Sequence, residues 1–154
     1  MKTVFYAGSF DPFTNGHLHI VKLACEIFDK VYIGIGINAS KKPRYDKTSM
    51  KSAINNVLEA EKLNNAECII FENLAIDTAK SLNCDFMVRG LRNGVDYDYE
   101  ENLAQLNKEL SGIETIYIRA GKNGIISSSM VYELLINKRD ISPYVPAQII
   151  NLIK

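Results

Sequence analysis

Within residues 8–17 the chain gathers two glycines, a proline, a hydroxyl pair and a histidine: Gly8-Ser9-Phe10-Asp11-Pro12-Phe13-Thr14-Asn15-Gly16-His17. Gly8 and Gly16 let the backbone approach a ligand without a Cβ, and a helix opening near Thr14 or Asn15 aims unpaired N–H groups and a partial positive charge at it. An anion is the natural occupant, with the Ser9 hydroxyl and Phe10 N–H as phosphate donors. His17, one turn into that helix, could donate to a phosphoryl oxygen whose charge grows in a transition state. The competing reading is a histidine that caps its own loop. His19 lies two residues on, about 200° around a helix, so the two rings cannot share a metal ion. Asp11, before Pro12, reads as the former of an Asx turn.

Three further clusters have the same chemistry. Lys41 and Lys42 precede Pro43 with no acid beside them, which suits a phosphate or plain solvent. Arg89 and Arg92 flank Gly90 and Leu91, where guanidinium forks can grip phosphate bidentately. Salt bridges to Asp96, Asp98 or Glu100 are the rival reading and are compatible with it, while Asp96, Asp98 and Glu101 also suit a helix N-terminus. Ser127, Ser128 and Ser129 open a helix, and one of the three would suffice as an N-cap; together they offer a second anion site. No Gly-x4-Gly-Lys-Ser/Thr loop occurs, and no nucleophile stands near an evident base. Gly34-x-Gly36-x-x-Ala39 matches a dinucleotide fingerprint in form only, because its glycines fall inside a strand and Pro43 follows where the helix should start.

Strand-like runs at residues 3–7, 31–37, 67–71, 86–88 and 115–118 must position these groups. They alternate with helical patterns at 16–28, 47–63, 76–82, 99–110, 128–137 and 146–153. Such alternation predicts an α/β fold: a Rossmann-like, open, parallel five-stranded sheet with helices on both faces, in one domain spanning residues 1–154. In sheets of this kind ligands bind beyond the carboxyl ends of the strands, and every cluster above follows a strand. The 154 residues are 47% hydrophobic. The 18 basic residues equal the 18 acidic ones, so no global positive field exists for a nucleic acid or an anionic membrane. Cys25, Cys68 and Cys84 are odd in number and widely spaced, which argues against a disulfide framework or zinc site and for a reducing cytoplasm. No apolar stretch approaches the roughly 20 residues of a membrane helix, and the first residues do not read as a signal segment.

The residues 8–17 segment resembles the nucleotidyltransferase signature in which a Gly-x-Phe-Asp-Pro turn precedes a Thr-or-His-x-Gly-His turn. With Ser40-Lys41-Lys42-Pro43, with Arg89-Gly90-Leu91-Arg92 followed by Asp96-Tyr97-Asp98-Tyr99-Glu100, and with Ile126-Ser127-Ser128-Ser129, nearly the whole chain is similar to the phosphopantetheine adenylyltransferase family. That resemblance implies transfer of the adenylyl group of ATP to 4′-phosphopantetheine, giving dephospho-coenzyme A and pyrophosphate, with Mg2+ accompanying the nucleotide. It implies His17, Lys41 and Arg89 as catalytic residues and Ser9, Lys41, Ala75 and Arg89 at the acceptor. Around ATP it implies Ser9, Phe10, His17, Gly90, Leu91, Arg92, Glu100, Asn123, Gly124, Ile125, Ile126, Ser127, Ser128 and Ser129, and it implies a homohexamer. The alternatives are a related nucleotidyltransferase acting on nicotinate mononucleotide or glycerol phosphate, and a non-enzymatic nucleotide-binding module.

Overall fold

A computed structural model describes residues 1–154. Five strands, β1 (Thr3–Gly8), β2 (Lys30–Gly36), β3 (Ala66–Phe71), β4 (Phe86–Leu91) and β5 (Glu114–Arg119), form one sheet, all parallel, in the order β3-β2-β1-β4-β5. Between and after them lie α1 (Asn15–Ile27), α2 (Lys47–Ala60), α3 (Ala75–Ser81), α4 (Gly94–Ser111), a 3₁₀ turn (Gly121–Ile125), α5 (Ser128–Ile136) and α6 (Ala147–Ile153). The chain winds outward from β1 through β2 to β3, then returns to place β4 on the other side of β1. Because parallel crossovers are right-handed, this reversal moves α3 and α4 to the opposite face.

Alternation along the strands feeds both layers. Val4, Val31, Ile33, Ile35, Val88 and Ile118 pack with the apolar stripes of α1 and α2 and with Val131 and Ile149 of α5 and α6. Phe5, Ala7 and Met87 point the other way, onto Ile76 and Ala79 of α3. No helix of the structure is long and apolar enough to cross a membrane.

Gly34 and Gly36 lie within β2, as the sequence indicates. A Cβ on Gly34 would lie 2.3 Å from Phe5 Cζ, so this glycine exists to admit an aromatic ring. Phe5 in turn meets Phe71 edge to face at 5.4 Å.

Two boundaries differ from expectation where they matter. β4 runs on to Leu91, because Arg89, Gly90 and Leu91 pair with Tyr117, Ile118 and Arg119 of β5. Arg89 and Gly90 are therefore strand residues, not members of a following loop. α4 starts at Gly94, not at residue 99, because the Asn93 side chain accepts from Val95 N and Asp96 N and caps the helix early. α2 also stops short of residue 63. Lys62 enters the left-handed region at φ 59°, its N–H bonds Glu59 O, and Leu63 N bonds Leu58 O, a Schellman closure made without glycine.

Candidate active site

β1 and β4 are neighbours whose connections leave in opposite directions, so a crevice opens beyond their carboxyl ends. A cavity of about 270 Å³ occupies it, floored by the loop after β1 and the start of α1 and walled by β4, the 3₁₀ turn and the start of α5. Of the residues singled out in the sequence, Ser9, Phe10, His17, Arg89, Gly90, Arg92, Glu100, Asn123, Ile126, Ser127 and Ser128 line it.

His17 is fixed from three sides. Thr14 caps α1, with His17 N donating to Thr14 Oγ1, and the Thr14 N–H donates back to His17 Nδ1 at 3.0 Å. A backbone N–H can only donate, so Nδ1 must carry a lone pair and the proton sits on Nε2. Phe10 meets the imidazole edge-on at 4.9 Å and Phe13 lies 5.5 Å away. The loop-capping reading and the donor reading thus hold together: one nitrogen caps, and the other remains a donor. Burial, reinforced by the positive charges of Arg89 and Arg92, lowers the His17 pKa to about 3. The ring is a neutral donor at physiological pH.

Phe10 reaches its place through a left-handed backbone at φ 44°, an uncommon conformation for a bulky residue that its buried ring compensates. The missing Cβ of Gly8 would lie 3.0 Å from Phe10 Cζ. Gly8 therefore admits this ring as well as any ligand.

Arg89 reaches from β4 across β1 and under α4. Its Nε and Nη2 donate to the two carboxylate oxygens of Glu100 at 2.7 and 2.8 Å, and Nη1 donates to Ala7 O at 2.6 Å. Burial alone would lower its pKa, but bonding to the Glu100 carboxylate more than offsets that and raises it. Arg92 is held by Asp96 at 3.0 Å through Nε, and this pairing lowers the Asp96 pKa. Asp96 thus stands in the first turn of α4 but serves Arg92. Glu101 falls in the second turn and accepts from the Tyr117 hydroxyl at 2.9 Å, so the expected role at the helix terminus does not apply to it.

The three serines divide their work. Ser127 caps α5 by accepting from Met130 N, which leaves its own hydroxyl proton free. Ser128 donates to Pro12 O at 2.7 Å, tying α5 to the first loop. Ser129 does not line the cavity.

A second cavity of about 160 Å³ adjoins the first, with Ala7, Arg89 and Glu100 lining both. Ala75 belongs here, with Leu103, Leu106, Asn107 and Leu110 of α4 and Thr115 of β5, whose buried Oγ1 has no partner. The spacing of Leu103, Leu106 and Leu110 on one helix face was the available signal for this groove. Tyr6 was also missed. It is a buried strand residue lining the first cavity, and burial raises its pKa well above the usual phenol value.

Lys41, Leu91, Gly124 and Ile125 line neither cavity. Leu91 ends β4, with its carbonyl bonded to Ala120 N. A Cβ on Gly124 would lie 3.4 Å from Arg92 O, and Ile125 is 75% exposed. Lys41 stands exposed in the loop between β2 and α2. The Asp11 side chain anchors that loop instead of closing an Asx turn: its carboxylate accepts from Arg44 N at 2.8 Å and Tyr45 N at 3.0 Å. Two N–H groups made parallel by the incoming chain outcompete the local backbone. Asp96 and Glu100, the carboxylates of the first cavity, are both paired with arginines, so the protein offers Mg2+ no free carboxylate ligand there.

Residues 5–134 match the family model described as cytidylyltransferase-like. The phosphopantetheine adenylyltransferase of Campylobacter jejuni subsp. jejuni serotype O:23/36 is 39% identical over 154 residues, covering 99% of this chain and 96% of that one. Its counterpart from Flavobacterium psychrophilum is 40% identical over 147 residues, covering 95% and 96%. In three dimensions, the nicotinic acid mononucleotide adenylyltransferase of Plasmodium falciparum, solved with NaAD, superposes with a TM-score of 0.69. It is 17% identical and covers 99% of this chain and 95% of its own, a likeness of fold.

Proposed function

The chain belongs to the cytidylyltransferase-like family and, within it, to the phosphopantetheine adenylyltransferases, and we propose that it transfers the adenylyl group of ATP to 4′-phosphopantetheine. A phosphate oxygen of the acceptor attacks the α-phosphorus in line, the bond to the bridging oxygen breaks, and pyrophosphate leaves as dephospho-coenzyme A forms. The observation that carries this reading is the locked, neutral His17 in the cavity that Arg89, Arg92 and the start of α5 share. Phosphoryl transfer asks a protein for position and charge neutralisation more than covalent chemistry, and this site supplies those two things.

His17 Nε2–H donates to the phosphoryl oxygens as their charge grows. Arg92, the Ser127 hydroxyl and the free N–H groups at the start of α5 hold the triphosphate. Arg89 orients the acceptor phosphate from the boundary of the two cavities, and Lys41 joins it as the loop held by Asp11 folds inward. The smaller cavity suits the acceptor's chain, with apolar walls for its methylenes and Asn107 for its amides. The nearby carboxylates are spent on arginines, so Mg2+ would be held by the phosphates of ATP and would supply charge neutralisation for the leaving pyrophosphate. The reading extends to a cytoplasmic homohexamer. Three unpaired cysteines and the exposed Leu106 and Leu110 of α4 support it, and light scattering on the eluted protein tests the assembly.

The test of the reaction is magnesium-dependent pyrophosphate release from ATP with 4′-phosphopantetheine. It is run beside ATP with nicotinate mononucleotide and CTP with glycerol phosphate, with His17→Ala as control. Release with phosphopantetheine alone supports the proposal. Release with another pair overturns the acceptor, and no release with any pair favours a binding module.

A further inference from the structure

Arg44, near the end of the loop between β2 and α2, is gripped from two sides. Its N–H donates to the Asp11 carboxylate at 2.8 Å, and its Nη1 donates to Asp11 O at 2.8 Å, so backbone and side chain hold the same residue. The guanidinium carbon also stands over the Tyr132 ring, 4.7 Å from its centre, where a cation is drawn to the electron-rich face. Tyr132 lies one turn along α5 from Ser128, whose hydroxyl donates to Pro12 O, and residues four apart share a helix face. One face of α5 therefore clasps the first loop through Ser128 and the β2–α2 loop through Arg44.

The segment between this clamp and β2 has little else to place it. Residues 37–44 are all exposed. At one end, Ile37 N bonds Phe71 O at 2.9 Å. Beyond it, Ser40 and Lys41 bond only Asn38, and no hydrogen bond or ion pair joins residues 38–43 to another part of the protein. Lys41 is three residues from Arg44, at most about 11 Å of chain. Its ammonium, on a flexible stem, goes where the two ends of the segment put it.

We propose that Arg44 is a positioning residue for Lys41: clamped between Asp11 O and the Tyr132 ring, its guanidinium fixes the loop that brings the Lys41 ammonium to the acceptor's phosphate. This rests on the acceptor role given to Lys41 above. Arginine suits the task because a planar fork donates within its plane while its face stacks on a ring, whereas a lysine ammonium is a point charge that does one or the other. The clamp also ties the loop to α5, the helix whose start takes the triphosphate, so the segments that hold the two substrates share one frame.

The experiment is a set of double-mutant cycles read by steady-state kinetics and by limited proteolysis. Arg44→Ala keeps the backbone bond to Asp11 and removes only the clamp. It should raise the KM for 4′-phosphopantetheine about three- to tenfold, with the KM for ATP within about twofold. Tyr132→Ala should do the same in smaller measure although it leaves every charge in place, and Tyr132→Phe, which keeps the ring, should match the wild type. In a Lys41→Ala background, Arg44→Ala should cost the acceptor nothing further. Full additivity of those two substitutions would show that Arg44 meets the acceptor itself and overturns the proposal, as does a Tyr132→Ala protein with wild-type kinetics. Trypsin cleavage of the Lys41–Lys42 bond, followed by mass without substrate, should run at least fivefold faster in Arg44→Ala and in Tyr132→Ala than in the wild type; equal rates overturn the clamp. This second readout needs no turnover. A wild type that releases no pyrophosphate with phosphopantetheine, or a Lys41→Ala protein with unchanged KM, therefore fells the acceptor reading, while proteolysis still decides whether Arg44 holds the loop.

Discussion

The His17 ring should stay neutral, with its proton on Nε2, at every pH where the protein is folded and active. Protonating Nδ1 would set its hydrogen against the Thr14 N–H only 3.0 Å away. Burial first, then Arg89 and Arg92, bring the pKa from 6.5 to about 3. Between those two values the unfolded chain binds a proton that the folded one refuses. Stability present above pH 6.5 is therefore lost as pH falls through that window. For a fully enclosed ring the loss would reach about 5 kcal/mol; His17 keeps partial solvent contact, so about half of that is expected overall and about 1 kcal/mol by pH 5. Urea unfolding of the wild type and His17→Gln at pH 7.5 and pH 5 measures it. The wild type should lose about 1 kcal/mol more than the variant, which has nothing to titrate at that position. Nitrogen-15 spectra should show the Nε2–H tautomer down to about pH 4. A ring that titrates near 6.5, an Nδ1–H tautomer, or the same pH slope in both proteins would refute the reasoning. In turnover, His17→Ala should lower kcat about 100- to 1,000-fold with KM little changed, as for a lost oxyanion donor.

Asp11→Ala removes the acceptor for two backbone N–H groups of the loop that carries Lys41; at about 1–3 kcal/mol, the loop should loosen, trypsin should cut at Lys41 or Lys42 faster, and the KM of the acceptor should rise. Gly34→Ala places a Cβ 2.3 Å from Phe5 Cζ, and calorimetry should show a loss of about 1–3 kcal/mol from overpacking, since Phe5 is fully buried and cannot yield. Burial pushes the Cys25 and Cys84 thiols up to about 11 and Cys68 to about 12. A disulfide reagent at pH 8 should therefore label the native protein far more slowly than the urea-unfolded chain, and rapid native labelling would count against the packing around them.

Hydrophobic period and local punctuation carry information within a few residues, and what depends on them was legible in the chain itself. Five strand-like runs alternating with helical stripes specify a parallel sheet. Thr14 before an amphipathic run specifies where α1 begins, and Pro43 after Gly34 and Gly36 rules out a dinucleotide loop. The clustering of Ser9, His17, Arg89, Arg92 and Ser127 was also readable, because each lies at or beyond the end of a strand and the carboxyl ends of parallel strands lie on one edge. Tertiary structure decided the partners. Arg89 could have met Asp96, Asp98 or Glu100, and the register of β4 between β1 and β5 chose Glu100 and Ala7 O. Ladder pairing carried β4 through Arg89 and Gly90, residues with weak strand propensity of their own. Lys62 ended α2 where no glycine announced it. The second cavity joins Ala75 to residues more than twenty positions away on α4, a neighbourhood created only when α3 and α4 pack on the same face. Spacing along a chain encodes which groups can share an element; strand order and register encode which groups meet across elements, and the charge pairing at this site belongs to the second kind.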